Sequence, residues 1–155
     1  MAKKVVKYSF IAFLSGTFIV DRIGFPTTVV GCSMEPTLNG ISRRDSYFTV
    51  KDIVWINRIK RNPQKSDIIA FIHPNNRNVL MIKRVIGIEG ERKRFPKIND
   101  GRYFQIPQNF LCVGSDNKIK NISSDSYNFG PIPKGLVIGT ATHIIWPPSR
   151  WGKLI

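Results

Sequence analysis

The sequence predicts a mainly β domain behind one N-terminal helix, on three observations. Ten prolines and twelve glycines lie scattered among short apolar runs, a spacing that favours strands and turns over long helices. Four runs are rich in β-branched and aromatic residues: Tyr47 to Asn57, Asp67 to Ile72, Val79 to Ile88 and Leu136 to Trp146. Ahead of them, thirteen residues from Tyr8 to Val20 carry no charge. At 155 residues the chain has room for one real core but not for two substantial domains.

The first element is the uncharged stretch, preceded by Lys3, Lys4 and Lys7 and closed by Asp21 and Arg22. A bilayer core asks for about 20 apolar residues, so this stretch spans only with help. Val5 and Val6 before it and Ile23 and Phe25 after it extend it, and Lys7 can snorkel, which allows a tilted or locally thinned span. No small-x-small cleavage site follows Val20, which speaks against a removed signal peptide. The expectation is an uncleaved basic segment and membrane anchor over residues 1–24, preferred to a buried or interfacial helix, with residues 25–155 as the folded domain. By the positive-inside rule the lysine-bearing end stays inside and the domain lies outside.

The strands follow, punctuated by Asn62-Pro63, by His73-Pro74-Asn75-Asn76 and by Asn99-Asp100-Gly101 as turns. Alternation along Val79 to Ile88 puts Met81, Lys83, Val85 and Gly87 on one face and Leu80, Ile82, Arg84, Ile86 and Ile88 on the other. Lys83 therefore has apolar neighbours on its own side. Desolvation disfavours an ammonium, and a lysine brought from about 10.4 toward 7 to 8 can act as a general base. From the strand alone, a lysine snorkelling at a sheet edge is the plainer account.

Ser33-Met34-Glu35-Pro36-Thr37-Leu38, fifty positions earlier, reverses that preference. A serine hydroxyl attacks an amide only when a base takes its proton, and a Ser/Lys pair is one form of that chemistry. Gly31 permits close approach and unusual dihedrals, and Pro36 stiffens the chain just past the serine. Backbone N–H groups near Ser33 could then hold a tetrahedral oxyanion.

Composition trims the alternatives. The formal charge of +14, from 24 Lys and Arg against 10 Asp and Glu, invites nucleic acid. The basic residues are spread over the whole length, however, and no zinc-ligand, RNP or basic-zipper motif accompanies them, so no nucleic-acid partner is expected. An anionic membrane surface accounts for the charge equally well. Cys32 and Cys112 form no disulfide framework and no Cys-x-x-Cys pair; Cys32 is a rival nucleophile without a histidine-rich neighbourhood, and Cys112 reads as a small buried hydrophobe. His73 and His143 are too isolated for a metal site, so neither metal nor cofactor is expected.

The boxes Ser33 to Leu38, Lys83-Arg84-Val85-Ile86-Gly87, and Ser124-Asp125-Ser126 before Phe129-Gly130-Pro131-Ile132-Pro133 resemble, in order, three boxes of the type I signal peptidase family. Asp52-Ile53-Val54 and Ser66-Asp67-Ile68-Ile69 are similar to two further strand motifs of that family. The resemblance implies a signal-peptidase-like β fold and a membrane-bound serine endopeptidase, with Ser33 as nucleophile and Lys83 as general base. It implies Met34 and Pro36 as support within the serine box, Arg84 and Asp125 as an ion pair, and Ser123 as a hydroxyl that orients the lysine. The short chain and the tail Ala141 to Trp151 are most similar to the second subunit of the mitochondrial branch. That likeness implies removal of sorting signals from precursors at the outer face of the mitochondrial inner membrane, single-pass anchoring in lipid, and a sister catalytic subunit as partner.

There are departures. Gly31 stands where bacterial members often place a serine as oxyanion donor, and the usual Gly-Asp-Asn reads Gly114-Ser115-Asp116-Asn117, which leaves Asp116 and Asn117 without assigned roles. Two other function classes stay open: a non-catalytic partner subunit that keeps the fold, and a basic membrane-attached binding module.

Overall fold

The computed structural model describes residues 4, 7–9, 16–17, 19–40, 51–60, 62–95, 103–117 and 125–154. Residues 7–9 and 16–17 are α-helical, and a π-helical turn, Ile19–Ile23, leads into the first strand, β1 (Gly24–Thr28). No helix among the described residues is long and apolar enough to cross a membrane, and much of the expected anchor over 1–24 lies outside them.

The four expected runs become the centre of the sheet: β2 (Ile53–Asn57), β3 (Ile68–His73), β4 (Asn76–Ile88) and β9 (Val137–Trp146). The part of the first run before residue 51, and the turn expected at 99–101, lie outside the described residues. Five further strands complete the set: β5 (Arg92–Arg94), β6 (Tyr103–Gln105), β7 (Phe110–Gly114), β8 (Ile132–Pro133) and β10 (Gly152–Lys153). The main sheet runs β1-β2-β9-β3-β4-β7-β8, with β10 on β9, and every pairing in it is antiparallel. β5 and β6 form a separate antiparallel pair.

The sequence signal missed β1 because Gly24-Phe25-Pro26-Thr27-Thr28 has a proline at its centre and little apolar alternation. Proline cannot donate to a ladder, and β1 tolerates it by lying at the edge, paired among the described residues only with β2.

β3 has both faces covered. Ile68 and Ala70 pack with Val54, Ile56 and Ala141, while Ile69 and Phe71 pack with Val85, Leu111, Val113 and Ile132. Successive side chains point to opposite faces, so a strand buried on both sides needs an unbroken apolar run, which Ile68-Ile69-Ala70-Phe71 supplies. A third cluster of Phe95, Ile106 and Cys112 seats the small hairpin. Cys112 is fully buried, and that burial pushes its thiol up to about 12, as a packing residue rather than a reactive one.

Candidate active site

The loop that carries Ser33 folds back on the sheet through its hydrophobic residues. Met34 and Leu38 are buried beside Val54 and Ile56, each contributing about 1.5–3 kcal/mol. The Leu38 N–H donates to the Met34 carbonyl at 2.8 Å, closing one helical turn. Apolar side chains on either side of the exposed Pro36 thus pin the loop, while Ser33 stays half-buried. Gly31 has φ +89°, in the left-handed region, with open space where a Cβ would stand. Any other residue there would be strained.

Asn39, at φ 63°, closes the loop. Its Nδ2 donates to the carbonyls of Val29 and Gly31 at 3.1 and 3.0 Å, and its Oδ1 accepts from the Asp52 N–H at 2.9 Å. In return, the Asn39 N–H donates to Asp52 Oδ2 at 2.7 Å. Arg150, from the C-terminal tail, lies 3.2 Å from the same Asp52 oxygen and donates to the Thr37 carbonyl at 2.9 Å. Asp52, expected only as a strand-motif residue, is a fully buried anchor for this loop. Asn39 escaped the sequence reading; the signal that marks it is Asn-Gly directly after an apolar anchor, a left-handed turn pair. Asn39→Ala removes three side-chain hydrogen bonds and is expected to destabilise the fold by about 2–3 kcal/mol, read as a lowered urea midpoint.

Lys83, Val85 and Gly87 are buried in alternation along β4, as the strand pattern predicts. Lys83 is 2% exposed, and its Nζ donates to Ser115 Oγ at 3.0 Å. Burial holds its ammonium below the ordinary lysine value of 10.5, against the opposing pull of Asp125, Cys32 and Asp116. Ser33 and Lys83 line one cleft of about 380 Å³, together with Met34, Val30 and Ile82. Among the described residues no hydrogen bond joins Ser33 to Lys83, whose Nζ donates to Ser115 instead.

Arg84 clasps the carboxylate of Asp116, a residue the sequence left without a role. Arg84 Nε donates to Asp116 Oδ1 at 2.8 Å and its NH2 donates to Oδ2 at 2.7 Å, a bidentate pair of 21% and 13% side-chain exposure. The reason is register. β4 pairs with β7 so that Arg84 faces Gly114, and Asp116 follows two residues on. Burial pushes the Asp116 carboxyl up, yet hydrogen bonds from Arg84 and Thr37 hold it below its ordinary value. Arg84 also donates to the Ser66 carbonyl at 2.7 Å, tying β4 to the turn before β3.

Asn117 acts on the serine loop from the same turn. Its N–H donates to the Ser33 carbonyl at 3.0 Å and its Nδ2 to the Cys32 carbonyl at 2.9 Å. Asp125 is buried and caps the short helix Ser126–Phe129, accepting from the Tyr127 N–H at 3.1 Å. Its charge is the strongest of those that favour the Lys83 ammonium. Ser123, for which the resemblance implied the lysine-orienting role, lies outside the described residues. Among the described residues no group of His, Cys, Asp and Glu could hold a metal ion.

A model of the family described as signal peptidase, peptidase S26, matches residues 2–96. Mitochondrial inner membrane protease subunit 2 of Danio rerio is 38% identical over 156 residues, covering 94% of this chain and 81% of that protein. The protein of the same name from Saccharomyces cerevisiae is 38% identical over 128 residues, covering 80% of this chain and 69% of its own. Mitochondrial ATP-independent inner membrane protease subunit 1b of Arabidopsis thaliana is 31% identical over 141 residues, covering 86% of this chain and 77% of its own.

Proposed function

Since the chain belongs to the signal peptidase family, peptidase S26, and is a serine peptidase of that type, we propose that Ser33 is its nucleophile and Lys83 its general base. The observation that carries this reading is the shared cleft: Ser33 and Lys83 line it together, and Lys83 is buried with its ammonium disfavoured. Neutral Lys83 takes the Ser33 proton as Oγ attacks the scissile carbonyl. The ammonium then returns that proton to the leaving amine, and the acyl group stays on Ser33. Water, deprotonated by the same lysine, hydrolyses the ester and restores the enzyme. Backbone N–H groups of the loop serve the oxyanion, because Gly31 offers no hydroxyl.

Gly31, Met34 and Pro36 shape the serine loop, while Arg84 and Asp125 support the base. The relatives' names support a place at the mitochondrial inner membrane. In this proposal residues 1–24 are a single-pass anchor, residues 25–155 face the intermembrane space, and the chain works beside a sister catalytic subunit on precursors with sorting signals. The helical residues 7–9 and 16–17, and the π-helical turn Ile19–Ile23 ahead of β1, support the anchor.

The test is cleavage of a precursor bearing a sorting signal by the full chain, reconstituted in liposomes with its sister subunit. Ser33→Ala is expected to lower kcat at least about 10³-fold. Undiminished cleavage by an assembled Ser33→Ala complex would place the chemistry on the other subunit.

A further inference from the structure

A neutral amine has two N–H bonds and one lone pair, and it serves as a base only when the lone pair faces the hydroxyl it must deprotonate. Rotation about the Cε–Nζ bond scrambles that direction unless something takes an N–H. Ser115 Oγ does so, accepting from Lys83 Nζ at 3.0 Å. It reaches the lysine because β4 and β7 pair with Arg84 opposite Gly114, so the residue after Gly114 comes over the base. The next two residues hold the other parts of the site: Asp116 clasps Arg84, and Asn117 donates twice to the serine loop. Three consecutive residues thus tie the base, its neighbour on β4 and the nucleophile to one turn.

We infer that Ser115 is a positioning residue for Lys83, its hydroxyl fixing one N–H so that the amine lone pair points into the Ser33 cleft. The inference rests on the Ser33/Lys83 reading and deepens it. Among the described residues, the titratable groups whose charges act on Lys83 are Cys32 from the serine loop, Asp116 from the turn after β7 and Asp125 ahead of the short helix. All three remain in a Ser115→Ala variant. A hydroxyl acceptor stabilises an ammonium more than an amine, so its loss moves Lys83 further down.

The experiment compares the full chain with Ser115→Ala, Ser115→Thr and Ser33→Ala, following cleavage across pH and titrating ¹³C-labelled lysine by NMR. For Ser115→Ala, kcat falls about tenfold or more with KM little changed, and the acid limb of kcat moves to lower pH with the Lys83 midpoint. Ser115→Thr, which keeps a hydroxyl, restores both. Activity within about twofold of the parent with an unmoved midpoint, or a loss that Ser115→Thr does not restore, overturns the assignment. Ser33→Ala separates the two failures. If it is inactive while Ser115→Ala matches the parent, only the role of Ser115 falls; if it cleaves normally, the dyad falls and Ser115's catalytic role falls with it.

Discussion

Lys83→Met is expected to lower kcat/KM at least about 10³-fold while leaving the fold as stable as the parent or more so. The two effects have one cause. Lys83 is 2% exposed and flanked on its own face by Met81 and Val85, so its ammonium is held where water cannot solvate it. Methionine fills nearly the same volume without a charge, and replacing a buried ionic group by a packed apolar one is commonly neutral or stabilising. The pH dependence gives the sharper check. The folded-state pKa of Lys83 lies below its unfolded value of 10.5, so between the two the unfolded chain binds more protons and parent stability rises with pH. Above 10.5 the lysine is neutral in both states and the penalty vanishes; below the folded pKa it is complete. The stability gap between Lys83→Met and the parent should therefore be widest at low pH and close toward pH 10.5, by chemical denaturation at a series of pH values. A Lys83→Met protein that cleaves normally would remove lysine from the mechanism. A gap of constant size across pH would show that the lysine is not desolvated.

Arg84→Ala is expected to cost about 1.5–3 kcal/mol of stability, because the partly buried Asp116 carboxylate, 13% exposed, loses both charge-assisted hydrogen bonds. Thr37 shares hydrogen bonds with this pair, so the serine loop loses a tether and kcat falls as well. Arg84→Lys should recover little, since a lysine cannot reproduce two parallel N–H···O bonds. Arg84→Met combined with Asp116→Leu should recover most of the stability without the activity, which separates burial from positioning. Acid unfolding tests the same pair from the other side. The folded pKa of Asp116 lies below its unfolded value of 3.8, so its contribution is present above 3.8 and lost as pH falls through the folded value. Arg84→Ala should lose that part of the acid dependence. If Arg84→Ala matches the parent in urea midpoint, the pair does not hold the site together.

The sequence by itself determined the central strands and pointed to the two residues proposed to carry the chemistry. Ser33 stands out through the box Ser33 to Leu38, and the two-residue period of Val79 to Ile88 put Lys83 on an apolar face without any tertiary information. The short apolar run from Asp67 to Ile72 likewise announced a strand, though only the fold showed both its faces covered. Pairing partners were decided only by the tertiary structure, because they depend on register between segments far apart in the chain. The resemblance offered Asp125 to Arg84 and left Asp116 without a role; placing Arg84 opposite Gly114 brought Asp116 to the guanidinium and carried Ser115 to Lys83. The clamp of Asn39 on Asp52 spans thirteen residues and needs a left-handed turn at Asn39, and Arg150 comes from more than a hundred residues away to the Thr37 carbonyl. A hydrogen bond is satisfied by geometry at a few ångströms, and no local pattern encodes which distant segment will supply it.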